Sequence, residues 1–466
     1  MLFNSYIFLF ALLPLILVGY YTLPKAWRPG WLVLCSYVFY GWWDWRYCLL
    51  LLIVTIVDFS LGKRIAKTES PNARKALVTA SVVCDLALLG FFKYYDLLAR
   101  TLNGIWSSLQ ASGGSVPILD LVLPVGISFY IFQSMSYTID IYRREARPAR
   151  SFIDFACYVS LFPQLVAGPI VRYRDLDEQL RSREHSWNKA GAGVVLFTLG
   201  LAKKVLVADA VAPMADWAFG QAAPGLIASW AGLLAYTFQI YFDFSGYSDM
   251  AVGLGLLIGF EFPINFNSPY KSCSMTEFWR RWHISLSSWL RDYLYIPLGG
   301  NRNGAARTYF NLFVTMLLGG LWHGPSWTFL LWGGYHGIWL AMERMHGKHG
   351  LWGERGPKGL RTAVTFLATM FGWLFFKAED LDAVARMFKG LFGCAGWGQA
   401  YAWEGGGLAT WLMLVVAAFL VWGCKNTWEM RWVPSICRWL GIVALLVVCI
   451  GVLLANASSP FLYFQF

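Results

Sequence analysis

The sequence has little charge for its length. Only 14% of its 466 residues are Asp, Glu, Lys or Arg, whereas a soluble globular protein has about 25%. A chain with so few charged residues lacks the polar surface that it needs to face water on all sides. Because 57% of its residues are apolar, the composition excludes a soluble globular protein and indicates a membrane protein.

Polar and apolar residues do not alternate in the apolar segments, and this excludes a membrane β-barrel. The apolar runs are continuous and approach the roughly 20 residues with which a helix crosses about 30 Å of hydrocarbon. Only helices then satisfy the backbone hydrogen bonds inside a bilayer. We therefore predict an all-α, polytopic membrane bundle of about 11–13 transmembrane or re-entrant helices. The predicted spans are 5–22, 31–45, 47–62, 77–95, 121–141, 190–212, 226–246, 307–322, 328–343, 362–377, 408–424 and 437–455.

Two apolar segments do not fit simple crossings. Pro163, Gly168 and Pro169 interrupt the stretch 155–173, and a full crossing at 247–262 would invert the orientation of every later loop. Broken helices at membrane depth occur where they are buried in protein or line a cavity. We expect both segments to be re-entrant or oblique parts of a single domain that covers residues 1–466.

The basic residues come in short bursts between apolar runs, so the net charge of +11 does not indicate a nucleic-acid-binding face. The positive-inside rule places these bursts in the cytoplasm. The predicted topology then has both termini outside, with a first helix that is retained and not cleaved as a signal peptide. The basic segments are 63–75, 143–150, 172–189, 271–307 and 344–361.

The sequence also lacks the motifs of several common chemistries. Its nine cysteines are scattered without the spacing of a metal site, and we expect no bound metal. There is no phosphate-binding or dinucleotide-binding glycine loop and no serine nucleophile elbow. Reactive groups must therefore be sought among the few ionisable residues of the apolar segments.

Histidine is scarce, with six residues in the chain. His323 follows a long apolar span and is flanked by glycines and Pro325, which bend or end a helix. An ionisable residue at membrane depth is a functional-site hypothesis, and a neutral imidazole can take a proton from a hydroxyl. The alternative is a histidine that only packs at a turn.

His283 lies in a segment, 276–296, that we predict to be one amphipathic helix on the cytoplasmic side of the membrane. Trp279 and Trp282 belong to its aromatic face, and His283 falls at the border of that face. The imidazole is expected to point towards protein or lipid. A catalytic role and a structural hydrogen bond to the backbone both remain open.

Basic residues near His283 form a cytoplasmic rim that includes Arg280, Arg281 and Arg291. Guanidinium groups bind phosphates through paired hydrogen bonds, so this rim could hold a nucleotide-bearing donor. It could equally bind anionic lipid headgroups. The sequence alone does not separate the two hypotheses.

A further polar group lies in the apolar segment 239–253. Asp243 and Asp249 are accompanied there by Tyr241 and Ser245. Charged residues in such a setting are expensive unless they are paired. In a functional interpretation they line a pathway or orient a catalytic histidine. In a structural interpretation, which is favoured, they pair with basic residues of other helices and stabilise the bundle.

Long motifs in this chain resemble the membrane-bound O-acyltransferase family, specifically its bacterial alginate O-acetyltransferase type. The resemblance is carried by FNSPYKSCSMTEFWRRWHISLSSWLRDYLYIPLGGNR at 266–302, by YFDFSGYSDMAVGLGLLIGF before it, by LLGGLWHGPSWTFLLWGGYHG after it, by the opening MLFNSYIFLFALLPL and by the terminal SSPFLYFQF. It covers nearly the whole chain.

The resemblance implies a helical fold around a tunnel, with His323 as the signature catalytic residue and His283 as a second one. It further implies acetyl-CoA as the acyl-donor substrate, no tightly bound cofactor, and a multi-pass location in the bacterial inner membrane. The expected partners are lipid, an exopolysaccharide such as alginate or cellulose, a periplasmic acetyltransferase partner and other exopolysaccharide-synthesis proteins. D-alanyl transfer to teichoic acid and polysaccharide transport are the alternatives.

Overall fold

The described part of the chain is helical throughout. A computed structural model describes residues 1–109, 115–347, 356–397, 407–430, 435–455 and 459–462, and within these ranges the regular elements are helices, without strands. The predicted all-α class is confirmed. The chain divides into two compact units, one formed by 1–193 and 254–262 and the other by 194–253 and 263–466.

The first unit contains the helices of the N-terminal part of the chain. Short π-helical and 3-10 turns, Phe8–Leu12 and Lys25–Trp27, precede its first two α-helices. The last helix in this part, α9, leads into the second unit. The α-helices are α1 Leu13–Thr22, α2 Arg28–Gly41, α3 Tyr47–Lys67, α4 Pro71–Ser108, α5 Ile127–Arg143, α6 Phe152–Ser160, α7 Phe162–Leu165, α8 Tyr173–Arg181 and α9 Trp187–Ala202.

The second unit contains most of the motifs that were singled out above. Its helices are α10 Asp209–Gly220, α11 Leu226–Leu257 up to residue 253, α12 Met275–Arg281, α13 Ile284–Leu290, α14 Gly304–His323, α15 Trp327–Met345, α16 Lys358–Lys377, α17 Leu381–Leu391, α18 Gly407–Trp422 and α19 Ile436–Ala455. Shorter turns at Lys203–Ala208, Pro269–Lys271, Arg291–Tyr295 and Thr427–Glu429 connect them.

Polar residues before several helices cap their first turns. Ser70 accepts a hydrogen bond from the backbone N–H of Ala73 and is followed by Pro71 at the first position of α4. Ser326 caps α15 by accepting from the N–H of Thr328, and Asp380 caps α17. Such caps satisfy backbone donors that have no partner within the helix, so these helices begin where the sequence supplies an oxygen.

Each predicted span overlaps one or more of these helices. By length and apolar composition alone, three helices of the described residues qualify as membrane spans: Pro71–Ser108, Lys358–Lys377 and Ile436–Ala455. The other predicted spans fall on helices that are shorter, more polar or interrupted.

The structure differs from the sequence prediction in two segments and agrees with it in a third. Residues 247–257 continue α11 without a break, so the boundary predicted after residue 246 is absent. The segment 276–296 is not one helix. The backbone at His283 is in the left-handed conformation, which separates α12 from α13, and a π-helical turn follows α13. The stretch 155–173 is interrupted as expected: α6 ends at Ser160, the four-residue α7 ends at Leu165, and residues 166–172 form a turn and irregular chain before α8.

Two glycines allow α14 and α15 to pack with their backbones in close contact. A Cβ at Gly333 of α15 would lie 2.9 Å from the Cα of Leu317. A Cβ at Gly320 of α14 would lie 3.1 Å from the Cα of Gly333. In a bilayer, helix association depends on such packing because lipid removes most of the hydrophobic driving force. The contact holds α15 against the end of α14, where His323 lies.

We expect Gly333→Ala to destabilise the protein by about 1–3 kcal/mol, because the added methyl group overlaps backbone atoms that cannot rotate away. The matched control is Gly334→Ala on the same helix, where the nearest atoms to the new Cβ are side-chain carbons of Leu317 and Phe313 at 3.8 Å. Thermal unfolding of the two variants in detergent measures the difference. Equal melting temperatures would contradict the proposed close contact.

Candidate active site

His323 is the last residue of α14, and aromatic rings surround it. Its ring centroid lies 5.0 Å from that of Trp322, 5.0 Å from Trp332 and 5.1 Å from Phe376, all in edge-to-face geometry. The residue is 6% exposed. These rings restrict the orientation of the imidazole, while Gly324 leaves the helix in an extended conformation.

His323 also lines a cavity within the second unit. The cavity has a volume of about 900 Å³ and is bordered by residues of α12, α13, α14 and α15. Its buried lining includes Met316, Trp332 and His323, whereas the lining residues Arg280, Arg291, Asn301 and Arg344 are exposed. The cavity therefore connects an exposed, cationic rim with a buried imidazole.

The rim contains two of the three predicted donor-binding arginines. Arg280 and Arg291 line the cavity, and Arg291 also forms an ion pair with Asp292 at 2.6 Å. Arg281 is not among the lining residues; it pairs with Glu277 at 2.7 Å and donates to the carbonyl of Asn267.

Of the two predicted tryptophans, Trp279 lines the cavity. Trp282 is 1% exposed and packs in the aromatic core. Its ring stacks on Phe278 with a centroid distance of 5.6 Å and lies 4.8 Å from Trp373. Trp282 is thus placed to support the fold of the second unit, and not to border the cavity.

His283 lies between α12 and α13 in a left-handed backbone conformation, with φ +43°. It is fully buried, and its Nδ1 is 3.2 Å from the side-chain oxygen of Asn265. The same oxygen accepts hydrogen bonds from the backbone N–H and the hydroxyl of Ser285. Asn265 therefore holds the turn that separates α12 from α13.

His283 and His323 both lie close to one ring, that of Trp322. The centroid of Trp322 is 6.1 Å from that of His283 and 5.0 Å from that of His323. His283 is not among the residues that line the cavity, and Phe244 packs against it at 4.7 Å. The structure thus brings the two histidines into one aromatic cluster but gives only His323 a place at the cavity.

The acidic cluster of α11 forms ion pairs with basic residues of the second unit. Asp243 pairs with Lys204 at 2.7 Å, and its other oxygen accepts from the backbone N–H of Leu462 at 3.0 Å. Asp249 pairs with Lys203 at 2.6 Å. These contacts support the interpretation that the aspartates stabilise the bundle.

Tyr241 and Ser245 are also buried away from the cavity lining. The ring of Tyr241 lies 5.2 Å from that of Tyr270 and 6.2 Å from that of Trp282. A role of this group as a lined pathway stays a prediction.

Two residues near the cavity were missed in the sequence. Arg344 lies at the end of α15 and lines the cavity, although it is 64 residues from Arg280 (344 minus 280). His336, one turn after Trp332, is fully buried, and its ring is 4.9 Å from that of Trp332 and 5.1 Å from that of Trp279. Trp332, His336 and Leu340 are spaced four residues apart, so they lie on one face of α15. This spacing in the sequence could have indicated that His336 faces the same way as Trp332.

Comparisons with known proteins find relatives that cover the region of this site. The family model described as MBOAT, membrane-bound O-acyltransferase family, matches residues 111–349, which include both His283 and His323. The chain is 42% identical over 494 residues to the "Probable alginate O-acetylase AlgI" of Pseudomonas putida, with 100% of each chain covered. The chain belongs to the membrane-bound O-acyltransferase family.

Two further relatives of this membrane-bound O-acyltransferase cover most of its length. The "Probable alginate O-acetylase AlgI" of Azotobacter vinelandii is 48% identical over 402 residues, which are 85% of this chain and 79% of the relative. The "Peptidoglycan O-acetyltransferase" of Helicobacter pylori is 38% identical over 435 residues, covering 85% and 80%. The family resemblance is confirmed: the protein is a multi-pass membrane enzyme of the O-acetyltransferase type.

Burial in apolar surroundings lowers the pKa of His283 to about 3, because a charged imidazole is poorly solvated there. The side chain lies outside the helices that qualify as membrane spans. At physiological pH it is a neutral group that can donate one hydrogen bond and accept another. It does not bring a positive charge to the site.

We expect acid to destabilise the protein partly through His283. The unfolded imidazole titrates near pH 6.5 at about its ordinary pKa, so the unfolded state binds more protons than the folded state below that pH. The stability is fully present above about pH 6.5 and is lost as the pH falls towards the folded pKa, by up to about 1.4 kcal/mol per pH unit. Thermal unfolding of wild type and His283→Asn between about pH 7.5 and about pH 5.5, one unit either side of the ordinary pKa, measures the contribution.

Asn is the matched replacement because it tolerates the left-handed conformation at this position and does not titrate. The variant should lose less stability on acidification than wild type. The same pH dependence in both proteins would contradict the assignment of a buried, neutral His283.

Proposed function

We propose that this enzyme transfers an acetyl group from acetyl-CoA, taken up on the cytoplasmic side of the bacterial inner membrane, for O-acetylation of an exopolysaccharide. The polymer is of the alginate or cellulose type, and it is acetylated directly or through a periplasmic acetyltransferase partner that works with other exopolysaccharide-synthesis proteins. The alginate O-acetylases of Pseudomonas putida and Azotobacter vinelandii support the polymer class by their identity over most of the chain.

The observation that carries this proposal is the cavity that joins an arginine-bearing rim to His323. A CoA thioester has phosphates at one end and a reactive carbonyl at the other. Arg280 and Arg344 suit the phosphates, since guanidinium groups bind phosphate oxygens through paired hydrogen bonds. The aromatic and aliphatic lining suits the apolar parts of the donor, and His323 lies where the thioester would meet the acceptor hydroxyl.

In the proposed reaction His323 accepts the proton of the acceptor hydroxyl. The oxygen then attacks the thioester carbonyl, forming a C–O bond, and the C–S bond breaks as the CoA thiolate leaves. The imidazolium returns its proton to the thiolate, so the imidazole is neutral again. A neutral imidazole can accept a proton and then donate it, as these two transfers require, and the ring contacts with Trp322, Trp332 and Phe376 keep its orientation.

We expect His323→Ala to lower acetyl transfer by about 10²–10⁴-fold, which is the usual contribution of a general base. The matched control is His346→Ala, at an exposed position one residue after α15, which should retain wild-type activity. Acetylation and export of the polymer are measured together in cells. Full acetylation by a folded His323→Ala protein would contradict the catalytic role. Loss of both acetylation and polymer export would support a transporter.

We expect charge reversal at the rim to weaken donor binding. Arg280→Glu and Arg344→Glu should each raise the KM for acetyl-CoA by about tenfold or more, because each replaces a phosphate ligand with a repelling carboxylate. Arg302→Glu is the control, because Arg302 is exposed but not among the lining residues. Steady-state kinetics in proteoliposomes measure the KM. An unchanged KM in all three variants would assign the rim to lipid headgroups.

A further inference from the structure

Glu343 is a buried carboxylate next to the cavity wall. It lies one residue before Arg344 on α15 and is 5% exposed. Among the described residues its carboxylate contacts no cationic side chain, and its partners are the first residues of α12. A carboxylate is rarely buried unless its oxygens accept hydrogen bonds. The hydrogen bonds from α12 are therefore what allows Glu343 to be buried at this position.

Three donors converge on the two carboxylate oxygens. Oε1 accepts a hydrogen bond from the backbone N–H of Met275 at 2.5 Å. Oε2 accepts from the backbone N–H and from the hydroxyl of Thr276, both at 2.8 Å. Hydrogen bonds to an ionised acceptor are about twice as strong as neutral ones. Glu343 therefore fixes the first turn of α12 to α15.

The two helices joined in this way both supply the cavity lining. Thr276, Trp279 and Arg280 come from α12, and Trp332, Leu340 and Arg344 from α15. A change in the separation of α12 and α15 therefore changes the distance between Arg280 and Arg344. The other hydrogen bonds at the start of α12, such as that from the N–H of Glu277 to the hydroxyl of Ser274, are made within the same segment and do not link the helices.

We propose that Glu343 is a positioning residue that sets the geometry of the donor-binding end of the cavity by clamping α12 to α15. It acts through Arg280 and Arg344 and does not touch the substrate. This inference rests on the proposed function, since it assigns the cavity rim to the acyl donor. Glu343 is not part of the cationic rim, and its charge is opposite to that of the rim arginines.

Glu343→Gln tests the clamp with minimal change of shape. The amide keeps one acceptor oxygen but presents an NH₂ group to an N–H donor, so at least one of the three hydrogen bonds is lost. We expect the KM for acetyl-CoA to rise by about three- to tenfold while kcat changes less than about twofold, because the interaction with the donor is weakened and His323 is not displaced. Steady-state kinetics of the full-length protein in proteoliposomes measure both constants.

The matched control is Glu429→Gln. Glu429 also accepts a backbone hydrogen bond, from the N–H of Asn426 at 3.0 Å, but it is not among the cavity-lining residues and belongs to another turn. It should leave the KM for acetyl-CoA at the wild-type value. An equal KM for Glu343→Gln and wild type, or a fall in kcat alone, overturns the proposal, as does an equal rise in the Glu429→Gln control.

Thr276→Val supplies a milder variant in case Glu343→Gln does not fold. It removes the hydroxyl bond and leaves both backbone bonds, so we expect a smaller rise of KM, of about two- to threefold. In the double variant the effects should be less than additive, since both substitutions act on one interaction. Wild-type KM in a folded Thr276→Val protein overturns the clamp's role in donor binding.

A measurement without substrate separates this inference from the proposed function. Hydrogen exchange at the amides of Met275 and Thr276 should be slow in wild type and faster in Glu343→Gln, while α19 is unaffected. If wild type does not use acetyl-CoA but exchange changes as expected, the proposed function fails and the clamp stands. Unchanged exchange overturns the clamp whatever the donor.

Discussion

The close contact between α14 and α15 is the constraint on which the candidate site depends. Because Gly320 and Gly333 have no side chains, the two backbones approach until further atoms would overlap. The end of α14 then lies against the inward face of α15, and Trp332 packs edge to face on His323. The same face of α15 continues along the cavity wall, so one packing contact determines both the orientation of the imidazole and the position of the lining.

The two histidines of the family motifs have different surroundings, and this separates their chemistry. His323 is nearly buried but borders a cavity with an exposed cationic rim. His283 is fully buried near Trp322, in a strained left-handed turn that Asn265 holds. A histidine that exchanges protons with a substrate must be accessible from the cavity, whereas a histidine that burial keeps neutral needs hydrogen-bond partners in the protein. His323 has the cavity beside it, and His283 has Asn265 as a partner.

Much of the helical fold was predictable from continuous apolar runs, because period and length are local properties of the chain. The prominence of His323 was predictable for the same reason, since a polar residue between helix-breaking glycines stands out in an apolar segment. The break at His283 was not, because amphipathic spacing continues through it, and a positive φ at a non-glycine residue depends on the tertiary contact with Asn265. The position of Arg344 at the cavity and the continuation of α11 likewise depend on which helices pack together, and a local sequence pattern does not contain that information.

In the proposed reaction one cavity brings the donor thioester to His323. A structure of the protein with a non-hydrolysable acetyl-CoA analogue tests this most directly. We expect the acetyl carbonyl carbon about 5–6 Å from the nearest imidazole nitrogen of His323, which leaves room for the acceptor oxygen about 3 Å from each of them, and we expect the phosphates beside Arg280 and Arg344. An analogue bound elsewhere, with this cavity empty and His323 remote from the acetyl group, would contradict the account.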